Sequence, residues 1–484
     1  MNPLLAEVTN GLLRCARLSG HRVQKKPDDR TDLILTTARF GEVVSWRKSL
    51  LISGRRCLGL KRTPIIYTVV HMPSRSFQSI LEHFRAALAQ KPLDPTDFTF
   101  PGLAPQAYRV LIEQGRRGGP ILALERLVQS QAKTLRALLV VGDKRPLFAY
   151  HFDLAGSFPR SEAGNLRTFF EDTVLRIVTA ASTDEVTEHQ ALNDPVPAEV
   201  WRRLSTPSAM LTTARQLGKR GFFTEMVRIF DLVQVPTLGD TVANQYSEGC
   251  FATWDLNLKA LIATVTGSVQ PVNKGEITED DLAVIAGVRP DGKGTLIRPV
   301  EGKRLQHPSA ESLEMIEMIR VLPEIMLGAG RDDRDRAPVV RSQLHGHRGI
   351  AAYRPERVEF VPLPSAYYHY LVSCATRAQA DGVREAFTRS QALQNPKDPR
   401  PVVFTILPGH GVVIVEKWVA GKAPFQIIWE FMDSGTLEVD NSIPQGPMEY
   451  VPGPGGKMRL KEGKNICPID PDSGSAPGRL ANLA

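Results

Sequence analysis

Short apolar runs alternate with helical spacing over the first 155 residues. Leu33-Ile34-Leu35-Thr36-Thr37 reads as a strand, and so does Pro64 to Val70, which is rich in β-branched and aromatic residues. Arg136 to Gly142 is a third strand. Between them, Phe77, Ile80, Leu81, Phe84 and Leu88 recur as one face of a helix, and Ile121 to Ala132 repeats the pattern. The chain opens on another amphipathic stretch, with Leu4, Leu5, Val8, Leu12 and Leu13 on one face and Gly20 as its stop. Strands alternating with helices predict a parallel α/β sheet.

Farther on the pattern changes. Asn165 to Ala181 is helical, and further helices are expected over 197–204, 207–218 and 222–230. From 236 the chain turns β-rich. Leu282 to Val288 and Thr295 to Val300 flank Pro290-Asp291-Gly292, a hairpin signal. Residues 309–322 and 376–390 read as helices, and 402–407, 412–419 and 425–431 as strands. The stretch 452–484 carries six Gly and five Pro, and is expected to be extended or disordered. The fold class expected is therefore an α/β N-terminal domain (1–155), a helical connector (156–235), an α+β strand-rich C-terminal half (236–451) and a Gly/Pro-rich tail (452–484).

Charge sharpens this division. The 484 residues carry a net charge of +8, but residues 1–150 hold 24 basic and 11 acidic side chains, or +13, leaving −5 for the rest. A basic front suits phosphate-bearing partners such as nucleic acid. Yet its clusters are only pairs (Lys25-Lys26, Arg55-Arg56, Lys61-Arg62, Arg116-Arg117), as a solvated surface also has. The five cysteines are odd in number and none has CxxC spacing, so a reducing cytoplasm is expected. No apolar run reaches membrane-spanning length, and the N-terminus does not read as a signal peptide. P-loop, GxGxxG, HExxH and GxSxG motifs are absent, which removes the commonest nucleotide and hydrolase readings.

Four segments carry candidate chemistry. In Ser342-Gln343-Leu344-His345-Gly346-His347-Arg348-Gly349, two imidazoles at i and i+2 would share a strand face, about 7 Å apart along the chain. They could converge on one ion, with Gly346 leaving room for a ligand; two histidines in a Gly-rich turn are the plainer alternative. Pro408-Gly409-His410-Gly411 opens an apolar strand and could present a third imidazole. In Gln245 to Asp255, Glu248 or Asp255 could complete the metal shell or act as base, or could serve a turn anchored by Trp254. In Tyr150 to Glu162, Ser161 could cap a helix whose start, with Arg160, binds an anion.

The HxH pair, followed 63 residues later by His-Gly and an apolar run, resembles the metal triad of the class II aldolases. The likeness covers only about 85 residues, and the sequence around His345 departs from that family. It implies His345, His347 and His410 as ligands of a zinc that polarises a sugar carbonyl. The Glu248–Asp255 layout faintly resembles sugar isomerases of the fucose and arabinose type, which pair carboxylates with histidine on manganese. The expectation is thus a metal-dependent lyase or isomerase acting on a small polar carbonyl or sugar substrate. The divalent ion would be zinc or manganese, and Arg348 or Arg160 would hold a substrate anion. The alternative is a non-catalytic protein that binds polyanions through its basic front.

Overall fold

The computed structural model describes residues 3–40, 65–89, 108–128, 136–182, 189–227, 245–265, 274–327, 335–364, 377–440 and 448–461, apart from isolated positions within those ranges. The chain has helices and mixed sheets, a parallel-strand sheet at the N-terminus and a strand-rich C-terminal half. Its contacts divide it into two units, residues 1–181 with 227–244 and 466–484, and residues 182–226 with 245–465.

The first unit holds a five-stranded sheet in chain order: β1 (Leu33–Arg39), β2 (Ile65–Met72), β3 (Ala137–Val141), β4 (Phe148–Asp153) and β5 (Gly156–Ser161). The first three run parallel and the last two antiparallel. Helix α1 (Pro3–Leu18) packs on one face with Leu5, Val8 and Leu12, beside Phe169, Val174 and Ile177 of α3 (Leu166–Ser182). Helix α2 (Ser74–Leu88) covers the other face with Phe77, Ile80, Leu81 and Phe84. Burying each such side chain contributes about 1.5–3 kcal/mol, which is why spacing of this kind folds as helix on sheet.

After β4 the chain turns back, and β5 pairs antiparallel with it. Ser161 ends β5, and Asn165 caps α3 by accepting the Arg167 and Thr168 N–H groups. Glu162 is buried and accepts from the Leu147 N–H and from Arg145, so its charge serves this packing. Ser161 is therefore not the cap of α3. Arg160 lies on β5, and its side chain is outside the described residues. So are the basic pairs Arg55-Arg56, Lys61-Arg62 and Arg116-Arg117.

The second unit is built on a nine-stranded sheet. Its strands are β6 (Gln190–Ala191), β7 (Cys250–Asp255), β8 (Ala260–Thr264), β9 (Leu282–Val288), β10 (Thr295–Arg298), β11 (Val340–Gly346), β12 (Val358–Phe360), β13 (Val402–Leu407) and β14 (Gly411–Lys417). Their order is β12-β13-β14-β11-β7-β8-β9-β10-β6. Only the two edge pairings are parallel. The Asp291-Gly292 hairpin joins β9 and β10, with Gly292 at φ +69° as the turn requires.

Alternation splits the residues of the sheet between two faces. Phe251, Ile262, Val284, Leu344 and Ile414 face α4 (Ala198–Arg203) and α5 (Thr206–Lys219), where Trp201, Met210 and Leu217 pack. Cys250, Ala252, Leu261 and Ala263 face α6 (Ser312–Val321), and Val403, Val413 and Val415 face α7 (Arg377–Thr388).

Three local readings are corrected. Residues 225–227 form a strand within the stretch read as helix 222–230. The stretch read as strand 425–431 holds helix α8 (Gln426–Asp433), whose buried Ile427, Ile428 and Phe431 follow helical spacing. Its start is capped from afar: the Glu416 carboxylate on β14 accepts the N–H groups of Phe425, Ile427 and Ile428. Residues 450–460 of the Gly/Pro-rich end form a hairpin, Tyr450–Pro452 against Met458–Leu460, with Gly455 and Gly456 at positive φ in its turn.

Candidate metal centre

His345 is the penultimate residue of β11 and points from the face that α6 covers. Its register partners are Cys250 on β7 and Val413 on β14. His410 sits in the tight turn between β13 and β14, which is closed by its own N–H on the Leu407 carbonyl. His347 lies just past the end of β11. The two imidazoles of the HxH pair therefore meet through a bend at the strand end, not along a strand face.

The three rings converge. Centroid separations are 5.5 Å for His345–His347, 4.8 Å for His345–His410 and 4.8 Å for His347–His410. One nitrogen from each lies within 4.8 Å of the others. Three imidazoles on a tetrahedral zinc, with metal–nitrogen bonds of ~2.0–2.1 Å, would hold ring centroids roughly 5 Å apart. The cluster could hold a metal ion. His345 and His410 are buried, whereas His347 is half-buried, so the cluster opens on the His347 side.

Glycines make this convergence sterically available. A Cβ on Gly411 would stand 2.1 Å from the Gly346 carbonyl oxygen and 3.0 Å from His347 Cα, so only glycine lets the β13–β14 turn lie this close to the end of β11. Gly249, at φ +95°, brings its backbone against the His345 carbonyl. The room expected at Gly346 is not a ligand space. Phe222 fills it, and a Cβ there would lie 2.3 Å from the Phe222 ring.

Two carboxylates complete the surroundings. Glu311 and Glu314 stand at the first turn of α6, three residues apart and hence on one helix face. Glu311 Oε1 lies 4.0 Å from His345 Nε2 and 3.9 Å from His410 Nε2. Glu314 Oε1 lies 3.4 Å from His345 Nδ1. Gln379 on α7 donates to both, at 2.5 Å to Glu311 Oε2 and 2.6 Å to Glu314 Oε2. Burial pushes the Glu314 carboxyl up to about 8. Burial also pushes the Cys250 thiol well above its ordinary value, and the Glu311 and Glu314 charges add to that shift. These two glutamates were not singled out in the sequence. Their signal was faint: acidic residues at i and i+3 at the start of a helix that also carries Glu317 and Arg320.

The other expected site residues are placed differently. Asp255 ends β7 five residues beyond Cys250, roughly 17 Å away along an extended strand. Its oxygens accept from the Asn257 and Leu258 N–H groups and from Thr206, closing the turn into β8. The structure does not bring Asp255 to the histidines. Glu248 lies outside the described residues. Arg348 follows His347 in the chain, and its guanidinium donates to the Gly221 carbonyl.

No family model matches this chain, and no curated protein sequence matches it. Among the described residues, no helix is long and apolar enough to cross a membrane.

Proposed function

We propose that the chain is a metal-dependent enzyme of the lyase or isomerase type acting on a small polar carbonyl or sugar substrate. His345, His347 and His410 hold one divalent ion, zinc or manganese. What carries this reading is the convergence of three imidazoles, two of them buried, from two chain segments onto one point. Three protein donors leave a coordination position for water or substrate, the pattern of catalytic sites, whereas structural zinc sites close with four. The half-buried side at His347 is where that position opens.

An ion there would act as Lewis acid on negative charge that develops on a carbonyl oxygen. Among the described residues, the carboxylates beside that point belong to Glu311 and Glu314, whereas Asp255 serves a turn. Arg348, next to His347 in the chain, would hold a substrate anion. The wide spacing and odd number of cysteines support a cytoplasmic setting for this chemistry.

The test is elemental analysis of the purified full chain. Wild type is expected to carry or take up about one equivalent of zinc or manganese, and His345→Ala and His410→Ala far less. Wild type that takes up neither ion would remove this reading. With metal in place, turnover of polar carbonyl substrates is expected to stop on chelation and return when the ion is restored.

A further inference from the structure

The first turn of α6 does something the three histidines alone do not require. It brings two carboxylates to the same imidazoles, both at least nine-tenths buried. Buried carboxylates cost free energy unless a cation or hydrogen bonds compensate them. Gln379 supplies one amide group to the pair, on their Oε2 atoms. The Oε1 atoms are aimed at the histidines instead: Glu311 Oε1 between the Nε2 atoms of His345 and His410, and Glu314 Oε1 at Nδ1 of His345. Glu314 Oε1 is buried and makes no hydrogen bond among the described residues.

The two nitrogens of His345 therefore face different carboxylates. Metal-bound histidines ordinarily bind through one nitrogen while the other donates its proton to a carboxylate or carbonyl, which sets tautomer and ring orientation. Nε2 faces Glu311, and Nδ1 faces Glu314.

We propose that Glu311 is a fourth, carboxylate ligand of the ion held by the three histidines, and that Glu314 is the positioning residue that takes the Nδ1 proton of His345. This inference rests on the metal reading above. Ligand atoms that share one ion at 2.0–2.2 Å stand roughly 3–3.5 Å apart. The 3.9 and 4.0 Å separations of Glu311 exceed that by about half to one ångström, within reach of a side-chain rotation.

Charge points the same way. Ligating imidazoles are neutral, so a divalent ion on histidines alone leaves two positive charges in a buried site. A carboxylate ligand such as Glu311 offsets part of that charge. A mixed nitrogen and oxygen set also suits manganese, iron or zinc in five- or six-coordinate geometry, which keeps room for a substrate oxygen. Gln379, reaching from α7, holds both carboxylates in register and ties the site to the α6–α7 packing.

The test uses the metal-stripped full chain titrated with cobalt(II), whose visible absorption reports ligand number and type. Wild type is expected to bind one equivalent. Glu311→Gln is expected to bind at least 10-fold more weakly with a changed visible spectrum, because a ligand is lost. Glu314→Gln is expected to bind about 10-fold more weakly with the wild-type spectrum, because only the support of His345 is lost.

Wild-type affinity and spectrum in Glu311→Gln would overturn the ligand assignment. Wild-type affinity in Glu314→Gln would overturn its positioning role. If Glu311→Gln gives no cooperative thermal unfolding, Glu311→Asp takes its place: it keeps the charge but draws the oxygen back, and an unchanged spectrum there is equally fatal. Wild type that binds no cobalt, zinc or manganese sinks the parent reading instead, so the two failures are distinguishable.

Discussion

Buried histidines serve opposite ends in the two units. In the first, His151 Nδ1 is 2.6 Å from the Tyr67 hydroxyl, and His71 Nε2 is 2.8 Å from the Gly142 carbonyl. The first bond reaches across β3 from β2 to β4, and the second ties the end of β3 to β2. In the second, three rings are matched to one another, and two buried carboxylates face them. A histidine that bonds a hydroxyl or carbonyl is part of the framework. Three histidines that share a centre could hold a metal ion. Composition does not separate the cases; the direction of the ring nitrogens does.

The strongest way to break this contrast is ligand removal. His345→Ala and His410→Ala are each expected to lower metal affinity by about 100-fold or more, beyond the roughly 10–100-fold cost of losing a supporting group. His151→Phe is expected to leave metal content unchanged. Elemental analysis after dialysis reads all three, and equal loss in His151→Phe would erase the distinction.

Next in size is the steric test. Gly411→Ala puts a Cβ against backbone that cannot yield cheaply, and should cost about 3 kcal/mol of stability along with most of the metal. For Gly11→Ala in the first unit, the nearest atoms belong to the Phe170 ring, the far end of a side chain that can move. Its cost should be nearer 1 kcal/mol. Urea unfolding of both variants measures the difference.

A smaller effect is expected from polar partners that hold only the framework. Tyr67→Phe removes the hydroxyl from buried His151 Nδ1, and Asp255→Asn weakens the acceptor at the turn into β8. Each should cost about 1–2 kcal/mol with metal content unchanged. Metal lost in Asp255→Asn would restore it as a site residue.

Acid gives an effect of similar size and sharpens the comparison from another histidine, His189. His189 contacts Thr295 and the Pro308 carbonyl, and burial pulls it down to about 4 from 6.5. The depressed value means that stability is whole above pH 6.5 and falls as pH drops toward 4, because the unfolded chain takes up the proton first. With some exposure remaining, the loss should be about 2 kcal/mol. Urea titrations at pH 7.5 and 4.5 in the presence of a chelator should show it, and His189→Gln should flatten it.

Much of the second unit could be read from the chain before any fold was known. The Asp291-Gly292 turn, the helices near 309–322 and 376–390 and the strand 402–407 follow local rules of spacing and turn chemistry. So does the choice of His345, His347 and His410, since HxH and Gly-His-Gly are local patterns. What stayed hidden depends on distance. Helix α8 lacks a cap of its own and borrows the carboxylate of Glu416, ten residues upstream of Gln426 and on another element. Glu311 and Glu314 look like ordinary helix-start acids, favourable near the positive end of the dipole, until β11 and α7 close over them. Phe222 against Gly346 could not be foreseen, because nothing local says which face of a strand a distant ring will fill. Asp255 misled for the converse reason: a carboxylate near a cysteine and a tryptophan suggested chemistry, while its backbone needed a turn.

The close approach of Gly411 to Gly346 also has a kinetic consequence. The two segments that carry the imidazoles are neighbours in the ladder, yet all of α7, β12 and β13 is spelled out between them along the chain. Such non-local pairings form slowly. No ion can find all its donors until that long excursion has closed, so the rate of cobalt colour appearing during refolding would clock the last zipping of the central strands.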